Sequence, residues 1–389
     1  MIYGGRSGEH EVSLASAAAV FKNLDPARYE AVPIKIEKDG RWSLPDRPPA
    51  IDKAADVIHE TRAPQLAADD RRETHLVARP GGDTLVTLDR SRPDATVSTL
   101  ALDVIFPVLH GPYGEDGTVQ GLLELLRIPY TGSGVLASAL AMDKLRSRQV
   151  LQANGIPVPA WTALEASRWP AARAEIAGRI ARDLGYPCVV KPNAQGSSIG
   201  VAIVRGESGL DAAVEGALAY DDVALVEEYL RGTELTCGVL DDPETGAPQA
   251  LPVIEIVPKR EFFTYEAKYD KGASEEICPA RISAAQAAKA QDLAIRTHKV
   301  LGCEGFSRTD LFLTSGDLIV LETNTIPGLT EGSLIPLAAS TAGISYPELL
   351  DRMITAALRR RRAHPSARPG KGAPDRAAPR RPGRAVLEP

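Results

Sequence analysis

Residues 308–334 read RTDLFLTSGDLIVLETNTIPGLTEGSL. Asp310 opens the apolar run Leu311-Phe312-Leu313, Ser315-Gly316-Asp317 supplies a turn, and a second run, Leu318 to Leu321, ends in Glu322. Two apolar runs around a glycine-containing turn predict a β-hairpin. Side chains alternate along a strand, so Glu322 and Asn324 share one face, and the hairpin brings Asp310 back beside them. Two carboxylates and an amide oxygen form a hard-oxygen donor set of the kind that holds Mg2+ or Mn2+ together with substrate phosphates. Pro327-Gly328 and the polar loop Thr330-Glu331-Gly332-Ser333 follow, and loops of this composition offer backbone N–H groups to an anion. The rest of the chain reads as an arrangement around this metal and anion centre.

A length of 389 residues allows two or three domains and a sizeable core. Apolar content of 44% and charged content of 25% are those of an ordinary globular protein. The net charge of −6 is unevenly spread: residues 359–389 carry about +8, which leaves about −14 on the remainder. That balance argues against a nucleic-acid-binding body. Cys188, Cys237, Cys278 and Cys303 are far apart, which argues against a zinc site or a disulfide framework and fits a reducing cytosol. With neither a run of transmembrane length nor a signal peptide, the expectation is a cytoplasmic protein with no membrane partner. Met1 to Gly5 reads as the tail of a β-strand whose first residues are missing.

That strand stub feeds Gly4-Gly5-Arg6-Ser7-Gly8-Glu9-His10-Glu11-Val12-Ser13 and a helix expected from about Val12 to Leu24. Strand, glycine loop and helix are the opening unit of an open α/β sheet, where ligands bind at strand ends. Glu11 reads either as a first-turn carboxylate favoured by the helix dipole or as the partner of a substrate ammonium. Residues 31–36 make a second strand. Residues 39–98 have weak periodicity, with a hairpin expected at Gly81-Gly82-Asp83, and read as a peripheral insertion in which His59 and His75 are surface residues. A buried strand over 103–109 runs into His110-Gly111-Pro112-Tyr113-Gly114-Glu115-Asp116-Gly117, a tight loop with backbone exposed to a ligand, and then a helix over 118–126. His110 is either a structural histidine or a substrate neighbour.

A helix is expected over 138–153, carrying Lys144. The strand 186–192 delivers Lys191, and Asn193 to Val201 form a Gly/Ser loop before a further strand. The absence of GxxxxGK[ST] excludes a P-loop. A Gly/Ser loop between strands can instead cover phosphates as a flap, as in kinases, with Lys191 as a point charge. Strands 224–230 and 235–240 flank a turn with Glu227, Tyr229, Leu230 and Glu234, which read as adenine and ribose contacts or as ordinary hairpin acids. Residues 262–270 are an aromatic and charged loop, residues 283–300 a helix capped at Gly302, and residues 346–358 the final helix. Residues 363–389 read as a disordered basic tail.

Taken in order, GGRSGEHEVS (4–13), HGPYGEDGTVQG (110–121), MDK (142–144), VVKPNAQGSSIGV (189–201), VEEYLRGTE (226–234), YEAKY (265–269), CPA (278–280), GFSRTDLF (305–312) and LETNTIPGLTEGSLIP (321–336) resemble the D-alanine–D-alanine ligase family of the ATP-grasp superfamily. Gln195 stands where many relatives carry an acid, and Tyr229 where some carry Trp. The resemblance implies a mixed α/β (α+β) ATP-grasp fold with an N-terminal open α/β domain over 1–133 (insertion 37–100). It also implies a central subdomain over 134–229 and a C-terminal subdomain over 230–362 with the metal and oxyanion sites.

The resemblance further implies roles. Lys144 and Lys191 would contact ATP phosphates under the Gly196-Ser197-Ser198 loop, Lys268 would also bind ATP, and Glu227, Tyr229, Leu230 and Glu234 would hold adenine and ribose. Asp310, Glu322 and Asn324 would bind two Mg2+ or Mn2+ ions. Glu11 would bind the first D-alanine and join Ser197 and Tyr269 in a hydrogen-bonded set that closes residues 262–271 over the site. Arg308 and the Gly328 N–H would form an oxyanion hole, Ser333 and Leu334 would take the second D-alanine, and His110 would orient substrate. The implied reaction is ATP-dependent formation of D-alanyl-D-alanine through a D-alanyl phosphate, for peptidoglycan precursors, by a homodimer. The competing readings are a D-alanine–D-lactate ligase, which Tyr269 disfavours, an ATP-grasp ligase for another amino acid pair, and a catalytically silent nucleotide-binding module.

Overall fold

The computed structural model describes residues 1–45, 47–49, 72–76, 85–89, 96–258 and 274–363. Strand β1 (Ile2–Gly4) is wholly buried and turns through Gly5 into α1 (His10–Asn23), which begins two residues before the expected Val12. The turn is made locally: the Glu9 N–H donates to Ser7 Oγ, and His10 N–H to the Ser7 carbonyl. β2 (Ile34–Ile36) and β3 (Trp42–Ser43) follow. β4 (Arg72–Leu76), β5 (Leu85–Asp89) and β6 (Thr96–Leu100) make a separate antiparallel sheet. The turn residues Gly81, Gly82 and Asp83 lie outside the described residues, as does His59; His75 is exposed. β7 (Pro107–Val108) rejoins the first sheet, whose order is β3-β2-β1-β7, with β1 parallel to both its neighbours. The strand expected over 103–109 is paired over only these two residues, with Ile105 making an isolated bridge to Tyr130. Proline at 107 contributes no N–H to the ladder.

After α2 (Thr118–Leu126) the expected single helix over 138–153 is two, α3 (Val135–Met142) and α4 (Lys144–Ala153). Asp143 separates them. It takes an extended conformation, and its side chain accepts the Arg146 N–H, an N-cap that starts a new helix. Lys144 thereby becomes the first residue of α4.

The second sheet comprises β8 (Trp161–Glu165), β9 (Cys188–Pro192), β10 (Ala202–Val204) and β11 (Val223–Glu228), antiparallel in the order β10-β9-β11-β8. Helices α5 (Trp169–Asp183) and α6 (Leu210–Leu218), which the reading of the sequence did not place, bury Trp169, Ile180 and Val214 against it. The third sheet holds β12 (Thr233–Asp241), β13 (Pro248–Ala250), β14 (Ile254–Pro258) and β15 (Ser274–Ile277). After α7 (Ala284–Leu301) it gains β16 (Phe306–Leu313) and β17 (Leu318–Asn324). The order is β15-β14-β12-β16-β17, with β13 on β12. α7 starts in a capping box, Ser283 with Gln286, and ends at left-handed Gly302.

One face of the third sheet packs against α7 together with Ala137 of α3 and Leu151 of α4. The segment expected in the central subdomain therefore contributes to the C-terminal core. The other face packs against α8 (Leu334–Thr341), α9 (Tyr346–Ala363) and the first sheet: Tyr3, Leu14, Val20, Phe306, Leu329, Ile335 and Met353 form one cluster. The N-terminal layer and the third sheet are thus two walls of a common core. Phe306→Ala should open a cavity at that junction and cost about 3–5 kcal/mol, read as a fall in the denaturant midpoint.

Candidate active site

A cavity of about 270 Å³ opens where the three sheets meet. Its floor is the β16–β17 hairpin. Register pairs Asp310 with Glu322 and Arg308 with Asn324, with an irregularity after Asp310, and all four side chains line the cavity. The alternation expected from the sequence therefore holds. Arg308 grips Asp310 bidentately, Nε to Oδ1 and Nη2 to Oδ2, each at 2.9 Å. Thr236 Oγ1 donates to Asp310 Oδ1 at 2.6 Å, and Asn324 Nδ2 lies 3.3 Å from Oδ2. Burial works against the Arg308 charge, but Asp310, Glu322 and Glu115 outweigh it and hold the guanidinium above its ordinary value. Among the described residues no cluster of three or more His, Cys, Asp or Glu side chains is poised to hold a metal. The donor set is two carboxylates and an amide, all oxygen, which suits a hard cation whose remaining positions are filled by water or phosphate.

Above the hairpin, Lys144 Nζ donates to the Gln195 carbonyl at 2.6 Å and lies 3.9 Å from Glu322 Oε2. Burial holds its ammonium below the usual lysine value, against the pull of Glu322. Lys144 thus ties the hairpin to the loop between β9 and β10, where Ser197 and Ser198 both take the left-handed conformation, φ 49° and 60°. Ser197 Oγ donates to Glu9 Oε1 at 2.5 Å.

The structure places Glu9, not Glu11, at this contact. Glu9 lines the cavity and holds Ser197, whereas Glu11 pairs with Lys38 and does not reach the cavity. Positions two apart at a helix start face different ways, so only one of the two acids can look into the site. The Glu9 carboxylate is wedged between two glycines: a Cβ on Gly111 or on Gly196 would come within 2.8 Å of Oε2.

Lys191 lies beside the cavity rather than in its wall. Its Nζ is 2.5 Å from Glu227 Oε2, and Arg148 Nη2 is 2.7 Å from Oε1. Burial opposes the Glu227 charge, but Arg148 and Lys191 hold its carboxyl below the usual range. Arg148, 1% exposed, escaped the sequence reading because an arginine inside a helical stretch carries no motif. Glu234 lines the cavity; Tyr229, Leu230 and Ser198 are half-buried and do not. Lys268, Tyr269 and the loop to which they belong lie outside the described residues.

His110 is buried, with Nδ1 3.0 Å from the Ile326 carbonyl and Nε2 3.3 Å from Ser16 Oγ, and burial lowers its pKa. It is held by these contacts and also lines the cavity. Glu115, to which the sequence assigned no role, accepts the Gly111 and Ile326 N–H groups, and burial next to Glu9 pushes its carboxyl up to about 8. Gly328, Ser333 and Leu334 close the far end of the cavity. Ser333 is the N-cap residue of α8, and its Oγ accepts the Thr330 N–H at 3.0 Å.

Residues 1–133 match the family model described as the D-ala D-ala ligase N-terminus, and residues 150–355 the model described as its C-terminus. The D-alanine–D-alanine ligase of Streptomyces coelicolor is 41% identical over 371 residues, with 92% of each chain covered. The D-alanine–D-alanine ligase structure from Coxiella burnetii superposes with a TM-score of 0.73 at 31% identity, over 92% of this chain and 93% of that one. The VanG D-Ala:D-Ser ligase from Enterococcus faecalis gives 0.74 at 35%, over 92% and 98%.

Glu227→Ala would strand Arg148 and Lys191 as buried, unmatched cations, at a cost of about 3–5 kcal/mol in unfolding measurements. Because the folded carboxyl is held below its usual value, its contribution is fully present above the unfolded pKa and is lost as pH falls through the folded one. The gap in stability between native and variant should therefore narrow on acidification.

Proposed function

The chain belongs to the D-alanine–D-alanine ligase family, and from that premise we propose that it joins two D-alanines at the expense of ATP through a D-alanyl phosphate. The observation that carries the reading is the convergence on one cavity of the Arg308–Asp310–Glu322–Asn324 cluster, Lys144 and the Ser197–Glu9 contact. These are a charge-neutralising hairpin, a phosphate-facing cation and a flap hinged on a substrate-side carboxylate.

In the first step a carboxylate oxygen of the first D-alanine attacks the γ-phosphorus, and the bond to the leaving ADP oxygen breaks. Lys144, and Lys191 once it swings from Glu227, would neutralise phosphate charge, and backbone N–H groups of Gly196, Ser197 and Ser198 would cover it. Asp310, Glu322 and Asn324 would hold Mg2+ or Mn2+, two ions by our reading, which when bound supply further neutralisation of the phosphoryl oxygens. Glu9, in the role the sequence suggested for Glu11, would accept the ammonium of the first D-alanine. Glu227, Tyr229, Leu230 and Glu234 would take the nucleoside, and Lys268 and Tyr269 would belong to the closing loop.

In the second step the free amine of the second D-alanine attacks the acyl carbonyl. The C–N bond forms, the carbonyl electrons move onto oxygen, and collapse of the adduct expels phosphate as the nitrogen loses its proton. Arg308 and the Gly328 N–H would meet the oxyanion. Ser333 and the Leu334 N–H, at the start of α8, would take the second carboxylate, where a helix N-terminus favours an anion. His110, beside the Ile326 carbonyl in the cavity lining, would orient substrate.

Phosphate release and dipeptide formation measured with D-alanine, D-serine, D-lactate and L-alanine test the reading. D-alanine should be the preferred pair; activity without any amino acid preference, or none, would sink it. Arg308→Ala should cut dipeptide formation by about 10²–10³-fold with ATP binding retained. Glu9→Gln should impair the reaction strongly and Glu11→Gln should not. The reverse order would return the first-substrate role to Glu11.

A further inference from the structure

Gly328 lies between two backbone segments that are gripped by side chains from the N-terminal layer. On one side Ile326 offers both its groups: its carbonyl oxygen is 3.0 Å from His110 Nδ1, and its N–H donates to Glu115 Oε1 at 3.3 Å. On the other side the Leu329 N–H donates to Ser16 Oγ at 3.3 Å, and that same Oγ is 3.3 Å from His110 Nε2. The second Glu115 oxygen accepts the Gly111 N–H at 2.8 Å, which anchors the carboxylate to its own loop. Ser16 and His110 are buried. Residues 326–329 leave the β17 end of the hairpin, whereas Ser16 lies on α1 and His110 and Glu115 on the loop after β7.

We propose that Glu115 and Ser16 are positioning residues of the peptide-forming step: with His110 they clamp residues 326–329 and so aim the Gly328 N–H at the oxyanion. The proposal rests on the oxyanion role given to Gly328 above. Its physical basis is the backbone itself. Proline fixes φ at 327, so the direction of the Gly328 N–H is set by the remaining torsion of Pro327. Neither Pro327 nor Gly328 has a polar side chain to fix that torsion, and it is therefore set by where Ile326 and Leu329 are held. An oxyanion donor works by preorganisation, and small misplacements cost large factors. The described hydrogen bonds of Glu115 and Ser16 run to Gly111, Ile326, His110 and Leu329; Glu115 in addition faces Glu9 and Arg308 electrostatically, which makes Ser16→Ala the cleaner probe of the clamp. The clamp should therefore act on the second step and spare the first.

The test separates the two steps in the intact protein. Acyl phosphate formation is read by trapping with hydroxylamine, and dipeptide formation by chromatography, for wild type, Glu115→Gln and Ser16→Ala. Glutamine keeps the size of the side chain but turns an NH2 group toward one of the two N–H donors. Dipeptide formation should fall by about tenfold to 10²-fold in Glu115→Gln, while trapped hydroxamate and the KM for ATP stay within about twofold. A melting temperature for each variant reports its folding. If Glu115→Gln does not fold, Ser16→Ala carries the test, with a smaller fall in the same direction. Equal losses in both steps, or no loss in either, would overturn the clamp while leaving the ligase reading intact. A wild-type protein that forms no dipeptide would overturn the ligase reading, and the clamp with it.

Discussion

The pairing register between β16 and β17 is the constraint on which the site depends. Asp310 opposes Glu322 and Arg308 opposes Asn324, so four cavity-lining side chains emerge on one face at one end of a hairpin. A slip of one residue would send each of them to the other face and replace them with core residues. The register is held from both sides. Leu311, Leu313, Leu318 and Val320 are buried in the core beneath α7, and β12 pairs with eight successive residues of β16. Arg308 and Asp310, each carrying a charge that would be costly to bury alone, complete the arrangement by sitting within hydrogen-bond distance of one another.

Around that hairpin the first described residues and the last described helix come together. Tyr3 and Leu14 from the beginning share one cluster with Leu349 and Met353 from α9, with Phe306 of the third sheet among them. Arg360 of α9 adds polar contacts, donating to the carbonyls of Tyr130 and Gly132 and pairing with Glu304. The cavity-lining loops of the first sheet are therefore carried by the same core that carries the β16–β17 hairpin. The second sheet meets this body through Lys144 to the Gln195 carbonyl and Ser197 to Glu9, and through Asn193 and Glu227, which bind Leu145 and Arg148 of α4.

Much of this was legible because it is local. The hairpin declared itself through alternation and a turn, α2 and α7 through their flanking signals, and the flap through glycine and serine between apolar strands. What stayed hidden required knowledge of distance or of a break. Glu9 and Glu11 are both acids in one motif, and only the early start of α1 decides which faces the cavity. Asp143 interrupts a helical pattern whose apolar residues run on without a gap. Helix α5 announces itself only by Pro170 in its first turn, within a stretch rich in alanine and arginine. Glu115 could be seen as part of a glycine loop, but not as the acceptor of a backbone N–H 211 residues away.

The break at Asp143 has a thermodynamic consequence. It sets an ammonium, Lys144, at the positive end of a helix dipole, in a buried position with Lys191 and Arg148 as like-charged neighbours. A cation lodged there is a small reservoir of unfavourable free energy, offset in part by Glu322. A polyanionic ligand arriving opposite it relieves that strain, and by linkage the relief reappears as resistance to unfolding. Occupancy and cohesion of the fold are then two readings of a single electrostatic quantity.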